Sequence, residues 1–205
     1  MAVADSNQSN APQPPRELTH DIGSTPDNLS FADTIAFTQT LLAHLENDPT
    51  DAESNSHTIA QTIAHLLSSK AGARGFLATY LTYDGAIADQ PPDSIINGLR
   101  AKPDIVADMM VKNLAMSSAM AIAHQRNQDE EHAKGSRRVQ QRTRHLIEML
   151  ETAELGGAIR EMVSSLEGTS SYYQPFLEQQ RYDTEQREAL KTVFKAIALK
   201  TSTGQ

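Results

Sequence analysis

The chain of 205 residues carries 18 Lys and Arg against 26 Asp and Glu, a formal charge of -8, and is 39% hydrophobic. That length supports one substantial core or at most two small domains, and the charge disfavours general affinity for polyanions while leaving room for a local basic surface. The absence of cysteine excludes disulfides, thiolate metal sites and cysteine nucleophiles, and fits a reducing compartment, with cytoplasmic as the default address.

Residues 1–28 are rich in Asn, Ser, Gln and Pro, with too little apolar material to repay ordering, and read as a polar tail. A single all-helical domain is expected over 29–200, with 201–205 frayed. Ser30 and Asp33 can form a capping box, after which Phe31, Ile35, Thr38, Leu41, Leu42 and Leu45 mark the buried face of a first helix ending near Asn47. The segment DPTDAESNS reads as a polar connection. A second helix runs to Ser69 with Ile59, Ile63, Leu66 and Leu67 inside.

Gly72 and Gly75 allow a break or a close approach and are expected at a helix junction, since no phosphate-loop pattern surrounds them. Phe76, Leu77, Tyr80 and Leu81 then pack one side of a short helix. Arg74 is expected in an intramolecular ion pair. Asp93 caps the SIINGLR helix after the loop formed by Gln90, Pro91 and Pro92.

The chain is organised around Pro103 to Gln125. Pro103 suits the first helical turn, Asp104 suits the helix dipole, and Ile105, Val106, Met109, Met110, Leu114, Met116, Met120 and Ile122 recur mostly three or four apart. This predicts a helix to be surrounded by others. Asp108, Lys112 and Asn113 make it too mixed to cross a membrane, and its methionines read as core filling ahead of a methionine-lined ligand site.

The sequence then becomes HQRNQDEEHAKGSRRVQQRTRH. Gly135 is expected to interrupt the helix and Ser136 to cap the next one. Val139, Thr143, Leu146, Ile147 and Leu150 point inward, while Arg137, Arg138, Arg142, Arg144 and His145 project as a basic shoulder. Arg144 and Glu148 have helix-pair spacing, so a solvated ion-paired face is the plain reading of that shoulder. The functional reading is docking of an acidic protein surface. The competing one is RNA or DNA, contacted by Arg137, Arg138, Arg142 and Arg144 with Tyr172 or Tyr173 adding a stacking face.

Asp129 and His132 are three apart, but the repeated Glu-x-x-His pairs of a carboxylate metal bundle are diluted here to Glu148 and Glu151. His57 and His65 lack completing ligands, so no metal and no cofactor is expected. Gly156 and Gly157 are read as a kink or close crossing within a long helical region. Ile159, Met162, Val163 and Leu166 follow up to a stop at Gly168, and Leu190, Val193, Phe194 and Ile197 form a closing helix. Tyr172, Tyr173, Phe176 and Tyr182 fill a corner in preference to forming a partner shelf. A homo-oligomer could bury Phe31, Ile35 and Phe194 between chains.

The fold expected is all-α, a compact multi-helix bundle of about six major helices around the central apolar one. No nucleophile elbow, metalloprotease signature or kinase set is present. The functional expectation is a helical interaction or regulatory protein, with a cofactor-free enzyme of unrecognised site as the third alternative.

Overall fold

The computed structural model describes residues 29–203, so the reading of residues 1–28 as a polar tail lies outside the described residues. Among those residues the chain forms ten α-helices and a 3-10 turn. They are α1 (Phe31–Asn47), α2 (Pro49–Ser54), α3 (Ser56–Leu66), α4 (Lys70–Thr82), the turn at Ala86–Ala88, α5 (Asp93–Arg100), α6 (Pro103–Arg126), α7 (Glu130–Leu150), α8 (Ala153–Glu167), α9 (Gln174–Gln180) and α10 (Thr184–Thr203). Six have thirteen residues or more, so the six expected major helices are present with short ones at the corners. The bundle is all-helical.

Local chemistry explains most boundaries. Ser30 Oγ accepts from the Asp33 amide and donates to its carboxylate at 2.6 Å, so the expected cap forms with the carboxylate on the serine hydroxyl in place of the backbone amide. Asp183 and Gln186 make a reciprocal box at α10, each side chain accepting from the other's amide at 2.9 and 3.1 Å. Gly168 ends α8 at φ +78°, where a side chain would be strained.

Several junctions lie elsewhere than expected. The polar connection after Asn47 contains α2, started by Pro49 in the first-turn position that proline favours. Pro92, not Asp93, is the cap of α5. The long helical region read as kinked or closely crossed at Gly156 and Gly157 is two helices, parted at Glu151 in the left-handed region at φ +47°, with Thr152 restarting the chain by accepting from the Leu155 amide. Arg100 from α5 donates to the Met149 and Leu150 carbonyls, satisfying the end of α7 across the bundle. Helix α7 runs unbroken through Gly135 and Ser136, its true cap being Asp129.

Helices α1 to α5 pack together through the crossings of α1 with α4 and of α3 with α5. Helices α6, α7, α8 and α10 form a second group, and α4 and α5 against α6 and α7 join the two. One contiguous buried cluster runs from Phe37 to Ile197. By length and composition α6 is apolar enough to span a bilayer, against the expectation from its sequence. The bundle instead encloses more than half of its most apolar 18-residue stretch.

Both crossings in the first group depend on a missing side chain. Gly75 lies inside α4, not at a junction, and a Cβ there would stand 2.8 Å from the Thr34 Cβ of α1. A Cβ on Gly98 would stand 2.6 Å from the Ile63 Cβ and 3.0 Å from the Ala60 carbonyl oxygen. Backbone cannot yield there without parting α3 from α5. Gly98→Ala is therefore expected to destabilise by about 1–3 kcal/mol through overpacking, read as a lower urea midpoint at unchanged slope. An unchanged midpoint would show that α3 and α5 can part at this crossing without loss.

Phe37 and Thr34, not Phe31 and Ile35, complete the buried face of α1. Phe31 remains 43% exposed beneath the Arg74 guanidinium, 5.6 Å from its ring centre, a cation-π contact where an ion pair was expected. Phe194 is enclosed by its own chain and is withdrawn from any surface between copies.

Candidate groove between α6 and α7

Helices α6 and α7 are joined by a tight connection in which Gln128 takes φ +57° and the Asp129 amide donates to the His124 carbonyl. The antiparallel register follows from two contacts. His124 stacks on His132 at 5.3 Å, and Gln140 Nε2 donates to Ser118 Oγ at 2.9 Å.

Along α6 the residues Asp108, Lys112, Met116, Met120 and His124 recur every fourth position and define an outer stripe. Asp108 and Lys112 pair at 2.7 Å. Met116 and Met120, assigned to the core from the sequence, are 41% and 43% exposed. They line a groove of about 960 Å³ whose other wall includes Gly135, Arg138 and Val139 of α7, with Thr82 of α4 at its edge. Nothing stands within 4 Å of a Cβ built on Gly135. That glycine, read as a helix breaker, leaves the groove open.

The basic shoulder divides. Arg137 pairs with Glu130 at 3.1 Å, Arg138 with Asp84 at 2.7 Å and Arg144 with Glu148 at 3.4 Å, each at the surface. His145 is exposed. Arg137 and Arg138 line the groove with Lys134 and with two carboxylates, Glu131 and the Arg142-bound Asp89, whereas Arg144 does not.

Arg142 does not project, contrary to expectation. Only 3% of its side chain is exposed. Its guanidinium makes a fork with Asp89 at 2.7 and 2.8 Å and donates to the carbonyls of Leu81 and Tyr83 at 3.1 and 2.6 Å. The hydrogen bond from Arg142 holds the Asp89 carboxyl below its ordinary range, and the same bond holds the Arg142 guanidinium charged. Tyr80, buried and stacked on Phe76, donates its hydroxyl to the Ile87 carbonyl at 3.1 Å. Burial pushes that hydroxyl well above its usual range. Arg142 and Tyr80 together pin the segment from Leu81 to Asp89.

At the start of α7, where His132 lines the groove, Asp129 accepts from the His132 amide and bonds its ring nitrogen at 2.8 Å. This hydrogen bond lowers the Asp129 carboxyl and raises the His132 imidazole. Among the described residues no three His, Asp or Glu side chains stand as a metal-ligand group.

Tyr173 is buried, with Lys112 Nζ 5.9 Å from its ring centre and its amide bonded to Ser165 Oγ. Phe176 and Tyr182 meet edge to face. The corner-filling reading describes these three, and Tyr173 has no free stacking face. Tyr172 alone is exposed.

One family model, described as Uncharacterised conserved protein UCP020893, matches residues 30–197. No curated protein and no solved structure matches the chain.

Proposed function

The chain belongs to this family, and we propose that it is a helical interaction protein whose α6–α7 groove receives an acidic amphipathic helix of a partner protein. Met116 and Met120 take the partner's apolar side chains, while Arg137, Arg138 and Lys134 take its carboxylates. The observation carrying this reading is two solvent-facing methionines beside three cations in one groove.

Methionine is unbranched and polarisable, which suits a surface that must adapt to a partner. The intramolecular partners of the rim arginines are cheap to exchange, because Glu130 and Asp84 are themselves largely exposed. Pairs of that kind are worth about 0–1 kcal/mol. An incoming carboxylate meets little competition from them. Arg142 is already spent on Asp89 and two carbonyls, and takes no part. Its burial and that of Tyr173 remove two of the six residues a nucleic-acid surface would have used.

The test is selection of displayed sixteen-residue helical peptides on the full chain. Enriched sequences are expected to carry apolar residues at i and i+4 flanked by Asp or Glu. Affinity of a synthetic winner should fall at least about tenfold, or ~1.4 kcal/mol, in R137Q/R138Q and stay unchanged in R144Q. Winners without acidic bias, or binding indifferent to the double substitution in a folded protein, would overturn the reading. Salt-sensitive binding of short RNA or DNA weakened by that substitution would favour the nucleic-acid surface instead.

A further inference from the structure

We infer that the chain carries its own occupant for this groove, the segment Glu17–Ile22 near the N-terminus, which competes with an external partner. This inference rests on the groove being a site for acidic amphipathic helices.

The segment reads Glu17, Leu18, Thr19, His20, Asp21, Ile22. Leu18 and Ile22 are four apart, as are Glu17 and Asp21, the spacing that puts each pair on one helical face. Those are the two chemistries the groove offers to match, in an adjacent apolar pair and an adjacent acidic pair. Residues 1–28 contain Asp5, Glu17, Asp21 and Asp27 against the single Arg16, so the charge complements Lys134, Arg137 and Arg138.

Reach is sufficient. The Phe31 carbonyl of α1 lies against Gly75 of α4, and Thr82, seven residues further along α4, lines the edge of the groove. Seven helical residues rise about 10 Å. Leu29 packs against the core and Ser30 caps α1, so the tether is the six residues Gly23–Asn28, which can span roughly 20 Å when extended. The path is an existing depression, since Ile35, Gln39, Ala78 and Thr82 line a shallow cleft between α1 and α4 that shares Thr82 with the groove. A short tether also presents its end at roughly millimolar effective concentration, so a contact of only millimolar intrinsic affinity would be about half occupied.

The chain has no cysteine, so His20→Cys in the full chain takes a single nitroxide label. Position 20 falls away from the face shared by Leu18 and Ile22. With methyl-labelled methionine, the Met116 and Met120 resonances are expected to broaden while Met149 and Met162, buried or half-buried elsewhere, do not. The broadening should fade in R137Q/R138Q, and also as salt rises from 0.1 to 1 M and the screening length shrinks from about 10 to ~3 Å. Adding an acidic helical peptide from the library should restore the signals.

Absence of selective broadening, with the peptide still shifting the Met116 and Met120 methyls, would overturn the internal occupant and leave the groove reading standing. Absence of both effects would remove both. Broadening that the peptide cannot reverse would place the segment somewhere other than the groove and equally overturn the inference.

Discussion

Arg142→Met is expected to lower the melting temperature by about 6–12 °C, corresponding to ~3 kcal/mol at this chain size. Methionine fills most of the space with an unbranched side chain, so a cavity is a small part of the effect. The main cost is the Leu81 and Tyr83 carbonyls, which lose donors reaching them from inside the bundle. A carbonyl left unmet away from water costs about 1–3 kcal/mol. The partner carboxylate tells the same story by contrast. Asp89 is 59% exposed, so in Asp89→Asn water serves the substituted side chain, but Arg142 is left buried with its charge matched by carbonyls alone, and a loss of about 1–2 kcal/mol, smaller than that of Arg142→Met, is expected. Arg142→Lys should fall between, because an ammonium keeps the charge but cannot span a carboxylate and two carbonyls with one fork. Thermal melts of the three variants check the order. Equal losses for Arg142→Met and Asp89→Asn would show that the ion pair, not carbonyl satisfaction, carries the energy.

Leu114→Ala is expected to cost about 2–5 kcal/mol, with a urea midpoint reduced in proportion. Leu114 is fully buried on α6, which is packed by α7, α8 and α10. Each of those helices is also held by other contacts, α8 and α10 by one another and α7 by α4 and α5. The void therefore cannot be closed by moving one wall, which places the cost towards the upper part of that range. Two residues along the same helix, Met116→Ala should change stability by no more than about 0.5 kcal/mol, because its side chain faces solvent. It should nevertheless weaken binding of a groove peptide. A large stability loss from Met116→Ala would mean that the groove is closed in solution.

How far the sequence could be read is seen in α6 and α7. Pro103 and Asp104 mark the start of α6 because a helix's first turn has local requirements that local residues meet. The buried positions of α7 were also legible, Leu146, Ile147 and Leu150 lying on one helical face. Arg142 shares that face, four residues before Leu146 and three after Val139. The pattern already held the signal that it turns inward, but residue type argued for solvent. What reversed it are Asp89 and the Tyr83 carbonyl, more than fifty residues earlier.

Met116 and Met120 erred the opposite way. Hydrophobicity argued for the core, whereas their four-residue spacing from Asp108, Lys112 and His124 placed them on a stripe that charged groups share.

The sequence by itself determined that the chain is helical, where α1 and α6 start and stop, and which stripes can be buried, because caps, proline, glycine and helical periodicity act within a turn or two. Only the tertiary structure decided that α7 continues through Gly135, that Arg142 is consumed inside the bundle, and that the two methionines face solvent beside Arg137 and Arg138. Each of those outcomes depends on which distant helix arrives against a face. Burial is a property of the surroundings, and α4 and the turn after it reach α7 only once the chain has folded back on itself.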